Sequence, residues 1–156
     1  MKKILLYILS ISVMFGLNSC LHYDLEELPS FDEANITSIT GVQYRYFSDA
    51  ISPVNGEKMV KYVTLKFSNT KIDPDNATCS FDVSAPSSFP ADRLSDLGMD
   101  KLVVIVQLST AARCAPVGDS PAFGVPGDWT KPNKYTITAA DGTTKVWTVT
   151  VNKLTK

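Results

Sequence analysis

The sequence predicts an all-β fold, on three observations. From Glu33 onward the chain breaks into short runs with period-2 alternation, rich in Thr, Val, Tyr and Ile. Clusters of Gly, Pro, Asn and Asp separate these runs. A helical turn has room only near Asp92 to Leu97, inside the Pro- and Ser-rich stretch APSSFPADRLSDLGMD. Alternation of this kind sends successive side chains to opposite faces of a strand, and the Gly, Pro and Asn clusters supply the turns.

Taken in order, Ile36 to Thr40 and Val42 to Ser48 read as strands broken at Gly41, by a bulge or a switch between sheets. The stretch SPVNGEK is a turn by composition. Met59 to Ser68 alternates, with Val63, Leu65 and Phe67 on one face and Tyr62, Thr64 and Lys66 on the other. The following NTKIDPDN reads as a loop. In Thr78 to Ser84, Cys79, Phe81 and Val83 share a face opposite Ser80 and Asp82. Lys101 to Thr110 is the most continuous apolar run after residue 20, as expected of a central strand covered on both faces. Ala111 to Pro132 reads as one long loop, a length uncommon in compact domains and frequently functional.

The C-terminal hairpin is the best-defined unit. Tyr135, Ile137 and Ala139 share one face of its first arm, and Trp147, Val149 and Val151 share one face of the second. A two-residue turn at Asp141-Gly142 would set Trp147 opposite Thr136 and mix the faces. A three-residue loop with Gly142 left-handed in a G1 bulge pairs Ile137 with Trp147 and Tyr135 with Val149, and keeps the apolar residues together. Thr136, Thr138, Thr148 and Thr150 then line the outer face.

The N-terminus carries a different signal. Lys2 and Lys3 precede an apolar run from Ile4 to Leu17, too short for the roughly 20 residues of a spanning helix. The following Leu17-Asn18-Ser19-Cys20 resembles the bacterial lipobox. That resemblance implies cleavage before Cys20 and lipidation of its sulfur and amine, and two or three acyl chains hold a protein on a membrane effectively permanently. Residues 1–19 are thus expected to be a lipoprotein signal peptide, residues 20–34 a lipidated acidic tether, and residues 35–156 the folded domain. Removing 19 of 156 residues leaves 137, enough for one domain. Loss of the two lysines takes the formal charge from −1 to −3. No basic run is left to neutralise phosphates, so nucleic acid is not an expected partner.

The tether LHYDLEELPSFDE has five carboxylates and no Lys or Arg, and like charges extend such a segment. Acids after the lipidated cysteine resemble the export signal of Bacteroidota-type surface lipoproteins. This implies an outer-membrane location with the domain on the outer face. The closing stretch DWTKPNKYTITAADGTTKVWTVTV, Asp128 to Val151, looks like the last hairpin of the Ig-like or cadherin-like domains of such lipoproteins, many classed as domains of unknown function; LSTAARCAP fits the same pattern. The resemblance implies an Ig-like antiparallel β-sandwich of about seven strands. It brings no catalytic residues with it.

Reactive machinery is hard to assemble from these residues. His22, the one histidine, sits on the tether, where no catalytic triad and no His-based zinc site can be built around it. Ser68 and Lys71 match the S-x-x-K spacing, but Ser68 ends a strand and no K-T-G partner appears. Asp73, Asp75 and Asn76 miss the EF-hand spacing at Ala77 and read as an Asx-stabilised turn. No metal, cofactor or catalytic residue is expected, and the protein is expected not to be an enzyme. Cys79 and Cys114 form either a disulfide or two separate buried thiols. Trp129 and Phe123 on the long loop either present flat faces to a ligand such as a sugar or pack as a lid over the sandwich end. Tyr44, Tyr46 and Tyr62 are weaker candidates, being on strands. Two functions follow as expectations: a non-catalytic surface lipoprotein that binds a glycan or macromolecule, or a structural or accessory subunit of an envelope assembly. The second would show an uncovered strand edge or an apolar patch.

Overall fold

The computed structural model describes residues 31–156; the expected signal peptide, Cys20 and most of the expected tether lie outside the described residues. Seven strands follow in chain order: β1 (Ile36–Ile51), β2 (Lys58–Asp73), β3 (Thr78–Ser84), β4 (Leu102–Leu108), β5 (Arg113–Pro116), β6 (Asn133–Thr138) and β7 (Thr144–Thr155). Two 3-10 turns, Ala91–Arg93 and Met99–Lys101, complete the regular structure of the described residues.

The strands form one hydrogen-bonded ribbon in the order β4-β1-β2-β3-β7-β6-β5. The ribbon changes layer within β2, whose residues 58–65 pair with β1 and whose residues 66–73 pair with β3. Folding the ribbon there brings its two apolar faces together. Ile36, Ile39, Val42, Leu102 and Val104 from one layer join Phe81, Val83, Tyr135, Ile137, Trp147 and Val149 from the other in a single core. The all-β class and the seven strands are as the sequence predicts. The antiparallel expectation needs correction, because β3 and β7 run parallel and the sheet is mixed. All the chain between these two strands serves as their connection, ample length for a parallel crossover.

Local departures have local causes. The segments on either side of Gly41 are one continuous strand, with a bulge against β4 between Ile39 and Gly41. The stretch expected as a loop after Ser68 continues β2 to Asp73 through a bulge between Ser68 and Lys71. The true turn lies beyond it. There the Asp73 carboxylate accepts the N–H groups of Asp75 and Asn76, both at 3.0 Å, and the amide of Asn76 at 2.7 Å. These bonds hold the Asp73 carboxyl below its ordinary range, with the Asn76 side chain the largest cause.

The expected central strand, β4, is the outermost strand of the ribbon. Its first half, Leu102 to Val104, is buried all the same, and the segment 117–132 lies along the free edge. Gly124 N–H donates to Val104 O at 2.9 Å and Gly127 N–H donates to Leu102 O at 3.1 Å. At its other margin the same segment meets β6, where Val117 N–H donates to Lys134 O at 2.9 Å and Lys134 N–H donates to Ser120 Oγ at 2.9 Å. The long loop thus closes the open side of the sandwich. Its first residues also form β5, a four-residue edge strand ending in Pro116, too short to template further pairing.

Candidate functional site

The aromatic residues singled out on the loop are structural. Trp129 is fully buried, donating its indole N–H to Leu102 O at 3.0 Å and its backbone N–H to Met99 O at 2.9 Å. The half-buried Phe123 ring stacks on Tyr135 at 4.0 Å between centroids, and Trp129 stacks beside both at about 6 Å. Tyr135 donates its hydroxyl to Pro121 O at 2.7 Å. Burial pushes its phenol far above the ordinary range. The expectation that Trp129 and Phe123 offer a ligand platform is therefore corrected: their faces are spent on one another and on Tyr135, and they pack as the lid.

Cys79 and Cys114 are both free thiols. Cys79 lies on β3 and Cys114 on β5, with β7 and β6 between them. Three strand spacings of about 4.8 Å alone separate them by some 14 Å across the sheet, twice the reach of a disulfide, and the register offsets them further along it. Of the two arrangements open to them, the structure takes separate thiols. Burial pushes each up to about 11, so neither is a nucleophile near neutral pH.

The conspicuous exposed feature lies elsewhere. β4 pairs with β1 only as far as Tyr44, and β3 pairs with β2 only from Lys66 onward. Residues 45–51 and 58–62 thus form a two-stranded arm with both outer edges unpaired. Its tip, 52–57, is closed by Ser52 N–H to Glu57 O at 2.8 Å and Gly56 N–H to Ser52 O at 3.0 Å. On the arm's outer face Phe47 sits directly opposite Val60, and Tyr62 directly opposite Arg45. Phe47, Val60 and Tyr62 are 64%, 59% and 63% exposed. Lys58, Lys66 and Arg45 share that face by strand parity, and β2 carries no acid before Asp73.

The arm's inner face is supported at its base. Tyr44 stacks on Tyr46 at 5.9 Å and meets Phe89 at a tilt of 44° and 5.7 Å, and the Arg93 guanidinium lies 5.4 Å over the Tyr46 ring. Of the three strand tyrosines, Tyr44 is buried, Tyr46 half-buried and Tyr62 open. One signal could have found this surface. β2 is apolar at both parities, Val60 and Tyr62 on one face and Val63 and Leu65 on the other, and only one of those faces has a core to meet.

Residues 36–150 match the family described as DUF5018-related. The chain belongs to that family. The DUF5018-related region starts at the first residue of β1 and ends inside β7, so it contains the closing loop, the arm and all of the sandwich but the last five residues of β7. A crystal structure of a "putative secreted protein" from Bacteroides fragilis is 37% identical, with a TM-score of 0.71. The similarity covers 82% of this chain and 100% of that one. No curated protein matches the sequence. Among the described residues of this DUF5018-related chain, no group of three metal-ligating side chains occurs, and no helix is long and apolar enough to cross a membrane.

Proposed function

We propose that this DUF5018-related protein is a non-catalytic envelope lipoprotein, anchored in the outer membrane through Cys20, that presents its β1–β2 arm to a macromolecular partner at the cell surface. The observation that carries this reading is the apolar and aromatic face of Phe47, Val60 and Tyr62 on an arm whose edges are unpaired. Soluble domains seldom leave such residues together in water without a use for them. The geometry also suits a tethered role. β1 begins beside the tether and extends for 16 residues, about 50 Å at 3.3 Å per residue, before reaching the arm's tip. An anchor at one end therefore puts the arm at the other. The secreted Bacteroides relative supports an extracytoplasmic location, and the lone histidine on the tether gives acid-base chemistry little to work with.

Between the two roles expected from sequence, the buried Trp129 removes the platform on which a surface glycan reading rested. The open arm favours a protein component of an envelope assembly. The test has two parts. Metabolic labelling with a fatty-acid analogue should mark the chain, and Cys20→Ser should abolish both the label and membrane retention. A photo-crosslinking residue at position 62 in intact cells should capture a defined protein. Combined Phe47→Ser and Val60→Ser should abolish that capture while the domain stays folded. Equal capture from exposed Thr144, on the far hairpin, would sink the arm as an interface.

A further inference from the structure

On the outer face of the second layer, three strands converge on one carboxylate. Asp82 lies on β3, with β2 on one side and β7 on the other, and both neighbours bulge beside it. Between the pairs Ser68–Asp82 and Lys71–Ser80, β2 advances one residue more than β3. Between the pairs Phe81–Val151 and Val83–Leu154, β7 does the same. Bulges re-aim side chains, and here the extra residues turn toward the same point. Asn69 donates its amide to Asp82 Oδ2 at 2.7 Å, Asn152 donates to Oδ1 at 3.3 Å, and Lys153 Nζ stands 3.4 Å from Oδ2. Asn69 holds a left-handed φ of +53° to do so, a conformation that costs a non-glycine residue free energy. An open groove of about 510 Å³ lies over this centre, lined by Asn69, Thr70, Lys71, Ser80, Asp82 and Asn152.

We infer that this groove is a binding site for a neutral saccharide, recognised through its ring hydroxyls by Asp82, Asn69, Asn152, Ser80 and Lys71. A sugar hydroxyl donates one hydrogen bond and accepts others, so its site needs acceptors and donors side by side. A carboxylate offers about four acceptor positions, of which Asn69, Asn152 and Lys153 use three. Each asparagine keeps a second N–H and a carbonyl oxygen, Lys71 supplies donors, and Ser80 and Thr70 supply both kinds. The other ligand classes fit less well. A cation would meet one carboxylate already paired with Lys153, and an anion would meet that carboxylate at the centre of the groove. An apolar ligand would meet no hydrophobic residue in the lining. The volume lies within the usual few hundred to one thousand Å³ of small-molecule sites. The site shares no residue with the arm and stands independently of the arm's role.

The test is saturation-transfer NMR on the mature lipoprotein in detergent, with the methyl glycosides of glucose, galactose and mannose as probes. At least one glycoside should show saturable transfer. Asp82→Asn should weaken its affinity about tenfold or more, the loss expected for a hydrogen bond to a charged group. Lys71→Met and Thr70→Ala, both at exposed positions, should each weaken it severalfold and carry the test if Asp82→Asn fails to fold. Combined Phe47→Ser and Tyr62→Ser should leave it unchanged, which separates this site from the arm. Transfer to none of the three glycosides overturns the inference. So does transfer indifferent to all the groove variants, or tighter binding of inorganic phosphate than of any glycoside.

Discussion

The indole nitrogen of Trp147 stands 2.9 Å from the carbonyl oxygen of Ala34, so that β7 is pinned to the chain just before β1. Both groups are buried, and the bond spans nearly the whole described chain. Lys145 strengthens the same junction, donating to Asn35 Oδ1 at 3.1 Å and to Pro74 O at 3.0 Å. The entry point of the chain is therefore held by its last strand. Trp147→Phe keeps most of the ring but leaves the Ala34 carbonyl without that donor. The expected loss is about 1–3 kcal/mol, the cost of an orphaned buried acceptor. It should be read from the urea midpoint at unchanged slope.

A second prediction concerns the loop that joins β6 to β7. Ala139 N–H donates to Thr143 O at 2.8 Å, Gly142 N–H donates to Ala139 O at 3.1 Å, and Gly142 has a φ of +92°. The three loop residues are thus Ala140, Asp141 and Gly142, with the left-handed position last. Asp141 braces the turn by accepting Thr143 N–H and Oγ1–H, both at 2.8 Å. Gly142→Ala should destabilise by about 1–2 kcal/mol, because an L-residue resists that conformation. Ala140→Gly, its neighbour in the same loop, should cost far less, and comparable losses at both positions would contradict the assignment.

That hairpin also marks how far the sequence could be read. The loop length, the bulge and the left-handed Gly142 were legible, and so were the two faces. The register was not: Tyr135 pairs with Trp147 and Ile137 with Lys145, two residues away from the expected pairing of Ile137 with Trp147. Sliding by two preserves parity, so Tyr135, Ile137, Trp147 and Val149 stay buried in either register and hydrophobic pattern cannot choose between them. The position of glycine within the turn does choose. β3 was legible to the residue because turn clusters flank a clean alternation. The place of β4 was not, since an apolar run says that both faces are covered but not that a loop covers the edge. The Asp82 centre was invisible, because residues 69, 82 and 152 meet only once three strands and two bulges are in register.

The cysteines give a prediction with a pH sign. Burial raises Cys79 from 9.0 to about 11 in the folded chain, while the unfolded thiol keeps its ordinary value. Below pH 9 both states hold the proton and the thiol costs nothing. Between pH 9 and 11 only the unfolded state ionises, so stability falls across that window by about 2–3 kcal/mol from this group. Cys79→Ala should flatten this part of the stability profile relative to the parent. At pH 8 both thiols should resist alkylation in the folded chain and react at once in urea. A mass two hydrogens lower, or a melting temperature that drops on adding reductant, would contradict the separate thiols.

On the acid side the sign reverses. Hydrogen bonds hold Asp82 below its ordinary range, Asn69 foremost and then Asn152 and Lys153. The carboxylate thus contributes stability above the unfolded value of 3.8, and that contribution is lost as pH falls through the lower folded value. Asn69→Gly removes the foremost donor and relieves the left-handed backbone at once. The Asp82 carboxyl, followed by carbon-13 NMR, should titrate at higher pH in that variant and closer to 3.8. No movement would mean that Asn69 does not hold it.

The arm allows function and stability to be separated. Leu65, on the inner face of β2, is buried in the core, whereas Val60 and Tyr62 on the outer face of the same strand are open to water. Truncating Leu65 to Ala leaves a cavity and should cost about 2–5 kcal/mol. Val60→Ser and Tyr62→Ser remove exposed apolar surface and should stay within about 0.5 kcal/mol of the parent. If residues with no share in the core were kept apolar only by chance, these replacements would change nothing measurable in cells. If they form the contact surface, cells carrying Phe47→Ser and Val60→Ser beside the crosslinking residue at position 62 should lose the captured partner while keeping normal amounts of the protein. A loss of stability as large as that of Leu65→Ala would instead show that the arm packs against its own domain, and the interface would have to be sought elsewhere.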